Sequence, residues 1–271
     1  MLKNKNKMRS SRVRVLNSSG SILSFGSIWG SIQSPPYEYD PGTATSPDFK
    51  NVIGDDDRTT FISTKFTYAG QGIRNMFDRR TDSVINVNAY LFNAEYSDGS
   101  NIEVQVNPEF IQQDVARSYA RQYANVIGRL PKELRRYVKT VWIHNGKQLF
   151  GGANNNLLIH VEQGEEYIMN GILEEILIHE ACHTSLDYYA YYDNWIDAQK
   201  KDNNYISTYA RDNPAREDIA ESFLAYFAVT YRKDRISQNT YDTIMRIIPN
   251  RIKFFDSLNL DMSPYVKSPQ T

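Results

Sequence analysis

Apolar and polar residues alternate from Thr59 to Asn107, and this period of two predicts strands. Phe61-Ile-Ser-Thr-Lys-Phe-Thr-Tyr68 is rich in β-branched and aromatic residues, as a half-buried strand requires. Val84 to Tyr96 and Ile102 to Val106 are two further runs, and Asp98-Gly99 between them signals a hairpin. Gly70 to Arg80, polar and charge-rich, reads as a connection, either solvated or facing a substrate. The period then lengthens. Asn107-Pro108-Glu109 supplies the N-cap, first-position proline and early acid of a helix start. Phe110, Ile111, Val115, Tyr119, Tyr123 and Ile127 continue it as an apolar stripe to Gly128, the pattern of a helix covering a sheet. Pro131 opens a short helix. Val141 to His144 and Leu157 to Val161 read as strands, with a turn at Gly151-Gly152 and Asn154 to Asn156 between them.

From Gly171 the chain reads as mostly helical. Ile172, Leu173, Ile176, Leu177 and Ile178 make the next helix apolar on several sides, as a helix through a core should be. Asp193 to Asn204 reads as a variable loop over a cleft. Pro214 and the acids after it open another helix, with Ile219, Phe223, Leu224 and Phe227 on its core face. Thr240 to Leu258 closes the chain as helix broken near Pro249. The fold class expected is α+β: a mixed sheet with a covering helix first, then a mostly helical C-terminal part. Residues 1–55 differ from the rest. Lys3, Lys5, Lys7, Arg9, Arg12 and Arg14 precede the first acid, Glu38, and a Ser/Gly stretch follows. The apolar part is too broken for a signal peptide, a transit peptide fits somewhat better, and a flexible or linker-like segment is the expectation. The plan is thus 1–55 linker-like, 56–262 one domain, and 263–271 a tail.

Composition narrows the function classes. The formal net charge is −1, so no global field favours nucleic acid or a membrane surface. The chain has 1 Cys, which excludes an intrachain disulfide. No apolar run reaches the roughly 18 residues that a transmembrane helix needs.

Chemistry concentrates in His179-Glu180-Ala-Cys-His183, inside the apolar helix. Residues four apart lie about 40° apart around a helix, one turn above each other, so both imidazoles can reach one tetrahedral Zn²⁺. Glu180 then stands beside the open coordination position. A catalytic zinc normally takes three protein ligands, and the best third is downstream. Glu217 and Glu221 are four apart on one predicted helix face, where two carboxylates repel unless a cation lies between them. Glu217 is therefore expected on the metal and Glu221 on the outer N–H of a ligating His. A solvated acidic face is the plain alternative. Asp187 continues the His179–His183 stripe and reads as a support behind the ligands. Glu175 reads as solvated or in a local salt bridge, Cys182 as a small buried thiol, and His144 and His160 as hydrogen-bonding strand residues rather than ligands.

His179-Glu-Ala-Cys-His183-x-x-x-Asp187-Tyr, a Tyr-rich loop and Glu217-x-x-x-Glu221-x-Phe together resemble the gluzincin zinc metallopeptidases of the anthrax lethal factor type. The resemblance covers roughly residues 165–230. It implies a zincin-like fold, with Zn²⁺ held by His179, His183 and Glu217 and with Glu180 as general base. It also implies a tyrosine that steadies the oxyanion; Tyr209 is the nearest match, one residue further from Glu217 than expected, which keeps Tyr205 in play. Arg211 and Arg216 are further candidates for that role. A protein or peptide substrate is implied, paired to an edge strand just before the HExxH helix, the role expected of Leu157 to Val161. The chain would be a monomer or part of a larger multidomain protein, and secretion follows from the likeness alone. Two rival readings share the motif: a non-peptidase zinc hydrolase, and a catalytically idle binding or toxin-accessory domain.

Overall fold

Alternating side chains build a six-stranded mixed sheet in the computed structural model, which describes residues 39–269. Strands β1 (Thr67–Asp78), β2 (Ser83–Glu95) and β3 (Asn101–Val106) run antiparallel in sequence order. β4 (Thr140–His144) joins β3 in parallel, β6 (Asn156–His160) joins β4 in parallel, and β5 (Gly151–Ala153) closes the edge antiparallel to β6. The Asp98-Gly99 hairpin forms as expected, with Gly99 at φ 85° and the Tyr96 N–H donating to the Ser100 carbonyl.

Three strand expectations need correction. Most of Phe61 to Tyr68 is not strand: Phe61 makes one isolated bridge to Tyr96, a 3-10 turn at Ser63–Lys65 follows, and only Thr67 and Tyr68 belong to β1. The strand continues through the polar stretch Gly70 to Asp78, read above as a connection. Polar pairs add to the one fully buried apolar residue in this stretch, Met76, which packs with Ala89 and Leu91 of β2. Arg74 makes a two-pronged bond to Glu103 at 2.8 and 2.9 Å, and Asn86 donates to Asn75 at 2.8 Å. Gly151-Gly152 is strand rather than turn; the reversal is at Asn154-Asn155, both at positive φ. Consequently β6, expected at the edge, lies inside the sheet between β4 and β5.

The helices follow the amphipathic signal with shifted boundaries. Asn107 caps only a 3-10 turn, Pro108–Phe110, and Ile111 at φ 61° separates that turn from α1 (Gln113–Ile127). The buried face of α1 is Ala116, Ala120, Tyr123, Ala124, Val126 and Ile127, while Ile111 and Val115 are exposed. Small residues on that face let the helix lie close to the sheet, so packing overrides the larger apolar stripe. After α2 (Lys132–Arg135), an unexpected α3 (Val161–Asn170) fills the space between β6 and α4 (Leu173–Ser185), the HExxH helix. Gly171, at φ 64°, caps α3 in the left-handed conformation and turns the chain into α4.

The C-terminal part is α5 (Asp193–Asp202), α6 (Thr208–Asp212), α7 (Asp218–Tyr231), α8 (Gln238–Ile247) and α9 (Pro249–Ser257). The expected variable loop at Asp193 to Asn204 is thus a helix, whose Trp195 is fully buried against Phe254 and Phe255 of α9. Buried Arg251 ties α9 to Asp202 at 3.0 Å and to Asp218 at 2.9 Å. The tail is also docked. Tyr265 donates to the Arg129 carbonyl at 2.7 Å, and the Ser268 N–H donates to the Thr230 carbonyl. Among the described residues no helix is long and apolar enough to cross a membrane.

The boundary at residue 55 is the largest correction. Residues 1–38 of the expected linker lie outside the described residues, but 39–55 are packed into the same unit as the rest. Tyr39, Phe49, Val52 and Ile53 are buried in the main core. The Ile53 N–H donates to Glu175 at 3.2 Å, so Glu175 is neither solvated nor salt-bridged but fully buried. Burial pushes its carboxyl up to about 8 against the opposing backbone N–H bonds, which leaves it mostly uncharged at neutral pH. Phe49→Ala should therefore cost about 3–5 kcal/mol, as for a core aromatic, in denaturant unfolding. A loss under about 1 kcal/mol would show that this segment does not contribute to the core.

Candidate metal centre

Helix α4 carries His179 and His183 one turn apart, and the chain entering α7 brings Glu217 against them from across the core. His179 Nε2 and His183 Nε2 are 3.3 Å apart. Glu217 Oε2 lies 3.3 Å from the first and 3.1 Å from the second. These three donors form a buried group that can hold a metal ion. The triangle fits one: ligands about 2.1 Å from a tetrahedral centre are about 3.4 Å from each other.

The outer ring nitrogens fix which lone pairs face inward. Asp187 lies one turn beyond His183 and approaches its Nδ1 at 3.0 Å, as the stripe predicts. Glu221 Oε1 lies 3.1 Å from His179 Nδ1, an ion-pair distance with the N–H off the line between them. With a proton on each Nδ1, both Nε2 atoms and Glu217 Oε2 present lone pairs to one point. Three acceptors there repel unless a cation sits among them. The electrostatics agree. Burial opposes charge on His179, yet Glu217 and Glu221 outweigh it and push the imidazole up to about 10. Burial likewise opposes charge on His183, and Asp187 and Glu217 raise it to about 9. Glu217 is buried, but the two histidines hold its carboxyl well below the usual carboxylate range.

Glu180, on α4 beside His179, is half-buried, and its charge is felt by the phenols of Tyr167 and Tyr209. Tyr209 of α6 stacks on His179, ring centres 6.2 Å apart and planes 24° apart. Tyr205 lies instead under the Arg251 guanidinium, 5.0 Å from it, so of the two tyrosines only Tyr209 is at this site. Arg216 Nε approaches Glu217 Oε1 at 3.3 Å from an exposed position, and Arg211 pairs with Asp212 at 2.7 Å. His144 and His160 stack on each other in the sheet, bonded to Asn107 and to the Asn145 carbonyl, and take no part in the group. Cys182 is buried, as expected.

Two supports escaped the sequence reading. The Thr43 N–H donates to Glu221 Oε2 at 2.7 Å, and its hydroxyl donates to the Glu221 carbonyl at 3.2 Å. The Tyr209 N–H donates to the Pro41 carbonyl at 2.9 Å. Residues 41–43 thus brace both the carboxylate behind His179 and the tyrosine over it. Backbone groups do this work, so no residue type advertises it. Gly152 is the second support: a Cβ there would overlap the Glu180 carbonyl oxygen, and its absence lets edge strand β5 lie directly on α4.

Comparison with family models, curated proteins and solved structures returns no match. What the site can do has to follow from its own geometry.

Because both imidazoles are raised above neutrality, metal uptake at pH 7 must expel their protons. Metal affinity should therefore climb as pH rises from 6 towards 9, with about one to two protons released per ion at pH 7. Chelator competition and calorimetry in buffers of different ionisation enthalpy would check both, and a pH-independent affinity would contradict the arrangement. Glu221→Gln and Asp187→Asn should each weaken metal binding about 10- to 100-fold in the same competition.

Proposed function

We propose that the protein is a zinc-dependent endopeptidase of the gluzincin type, on a zincin-like scaffold. The observation that carries this reading is the closed, buried triangle of His179 Nε2, His183 Nε2 and Glu217 Oε2, with Glu180 next in sequence to the first histidine. Two nitrogen donors and one carboxylate oxygen suit zinc, and three protein ligands leave a fourth position open for chemistry. Zinc bound there would supply a Lewis acid and bring a water's pKa towards about 7.

The chain's own residues divide the remaining work. Glu180 takes the proton from the water as it attacks the peptide carbonyl, then hands that proton to the leaving amine. Burial, with Glu217 and Glu180 nearby, holds the Tyr209 phenol well above its ordinary value, so it stays protonated and donates to the developing oxyanion. Asp187 and Glu221 keep the imidazoles aimed. Strand β5 is the sheet edge nearest this chemistry, since Gly152 lies on the Glu180 carbonyl, and in this reading it is the edge beside which an extended peptide would add. That edge favours a peptide over a small ester or amide as substrate.

Purified protein should contain about one zinc per chain by elemental analysis and cleave a denatured protein. Glu180→Gln should keep the zinc and lose turnover by about 10²- to 10⁴-fold, the range of a general base. Undiminished turnover in that variant would sink the assignment of the base. Glu217→Ala should lose zinc; unchanged zinc content would move the third ligand elsewhere.

A further inference from the structure

The turn between β1 and β2 crosses the sheet and carries two adjacent arginines with opposite fates. Arg80 is fully neutralised: it pairs with Asp78 at 2.7 Å and with Glu109 at 2.7 Å. Asp78 is itself buried, and Glu109 also accepts the Asn145 N–H at 2.8 Å, so the turn is anchored to the sheet. Arg79 is exposed and has no carboxylate partner among the described residues. It donates once, through Nη2 to the Phe150 carbonyl at 2.9 Å. That contact sets the guanidinium at the start of edge strand β5. A Cβ on Gly151 would come within 2.8 Å of Arg79 Nη2, so the cation lies directly over a residue that has no side chain.

The next residue, Gly152, lies on the Glu180 carbonyl, so Arg79 and the HExxH helix flank the same three-residue edge. A guanidinium with most of its N–H groups unused, fixed on an anchored turn, is built to take a carboxylate in two-pronged fashion.

We propose that Arg79 reads a carboxylate on the substrate, so that peptides carrying one where they pass Gly151 are preferred. The inference rests on the endopeptidase reading and names its substrate class. The carboxylate can come from an Asp or Glu side chain or from a peptide C-terminus.

The test is digestion of a mixed peptide library by the zinc-loaded full chain, with cleavage sites mapped by mass spectrometry. Half of the library carries free C-termini and half amidated ones. Acidic residues should be enriched about tenfold at one fixed position relative to the cut, the discrimination expected of a charged hydrogen bond. If cleavage instead falls at a fixed distance from the C-terminus in the free half and not in the amidated half, the C-terminal carboxylate is the group read. Arg79→Glu should replace the acidic preference with a basic one, a reversal that mere loss of the Phe150 staple would not produce. Should that variant fail to fold, Arg79→Gln keeps a donor for Phe150 without the charge, and the enrichment should collapse. In parallel, Glu180→Gln protein should bind a labelled acidic peptide about tenfold tighter than its amide counterpart, by fluorescence anisotropy. Cleavage with neither acid enrichment nor dependence on a free C-terminus, or a preference untouched in both Arg79 variants, would overturn this inference alone. No cleavage of any peptide would overturn the endopeptidase reading and this inference with it.

Discussion

Three acceptor atoms aimed at one buried point set the terms for the rest of the molecule. Two imidazole lone pairs and a carboxylate oxygen, each 3.1 to 3.3 Å from the others, repel in a medium of low dielectric unless positive charge joins them. Protons or a dication can supply that charge. The raised histidines and the lowered Glu217 are the protonic answer to the same demand that a metal would meet. Holding such a cluster together takes a scaffold that resists its expansion. The surroundings of α4 and α7 are accordingly dense, with Leu177, Ile178, Ala181, Phe223 and Leu224 fully or almost fully buried around the ligands.

The scaffold gathers distant pieces of chain for this purpose. The donors that could hold a metal come from α4 and the start of α7, the stacking tyrosine from α6, and the brace from residues 41–43. Glu175 adds a second tie between the N-terminal segment and α4, four residues before His179. One short stretch therefore touches both ends of the site, and its loss would loosen Glu221 and Tyr209 together. On the other flank, paired glycines let a sheet edge touch α4, and an anchored turn lays Arg79 on that edge. The His179, His183 and Glu217 group and edge strand β5 thus both meet α4, the strand at Glu180.

The elements that were legible in the sequence are those whose signal is local. HExxH on an apolar helix, the four-residue step from Glu217 to Glu221, the Asp98-Gly99 hairpin and the α1 period each declare themselves within a few residues. The misread elements share a different feature: their stabilising partners are remote. β1 looks like a polar loop because Arg74 and Asn75 pair across strands with Glu103 and Asn86. α5 looks like a loop because one tryptophan and a buried Arg251 contact outweigh its charged surface. Gly151-Gly152 looks like a turn because glycine is as much at home under a close helix as in a reversal.

By itself the sequence determined an α+β chain with two histidines and a glutamate competent to bind metal, since helical spacing alone puts the two imidazoles on one face. Tertiary structure decided what surrounds them: that Glu217 reaches both histidines, that Tyr209 rather than Tyr205 stands over them, and that residues 39–55 belong to the core. It also decided which strand is the edge, because strand order depends on pairing between segments and no local pattern encodes it. The physical reason is common to all of these. Residue type and period report a segment's own preferences, whereas a site's charge balance and exposure arise only when separate segments meet.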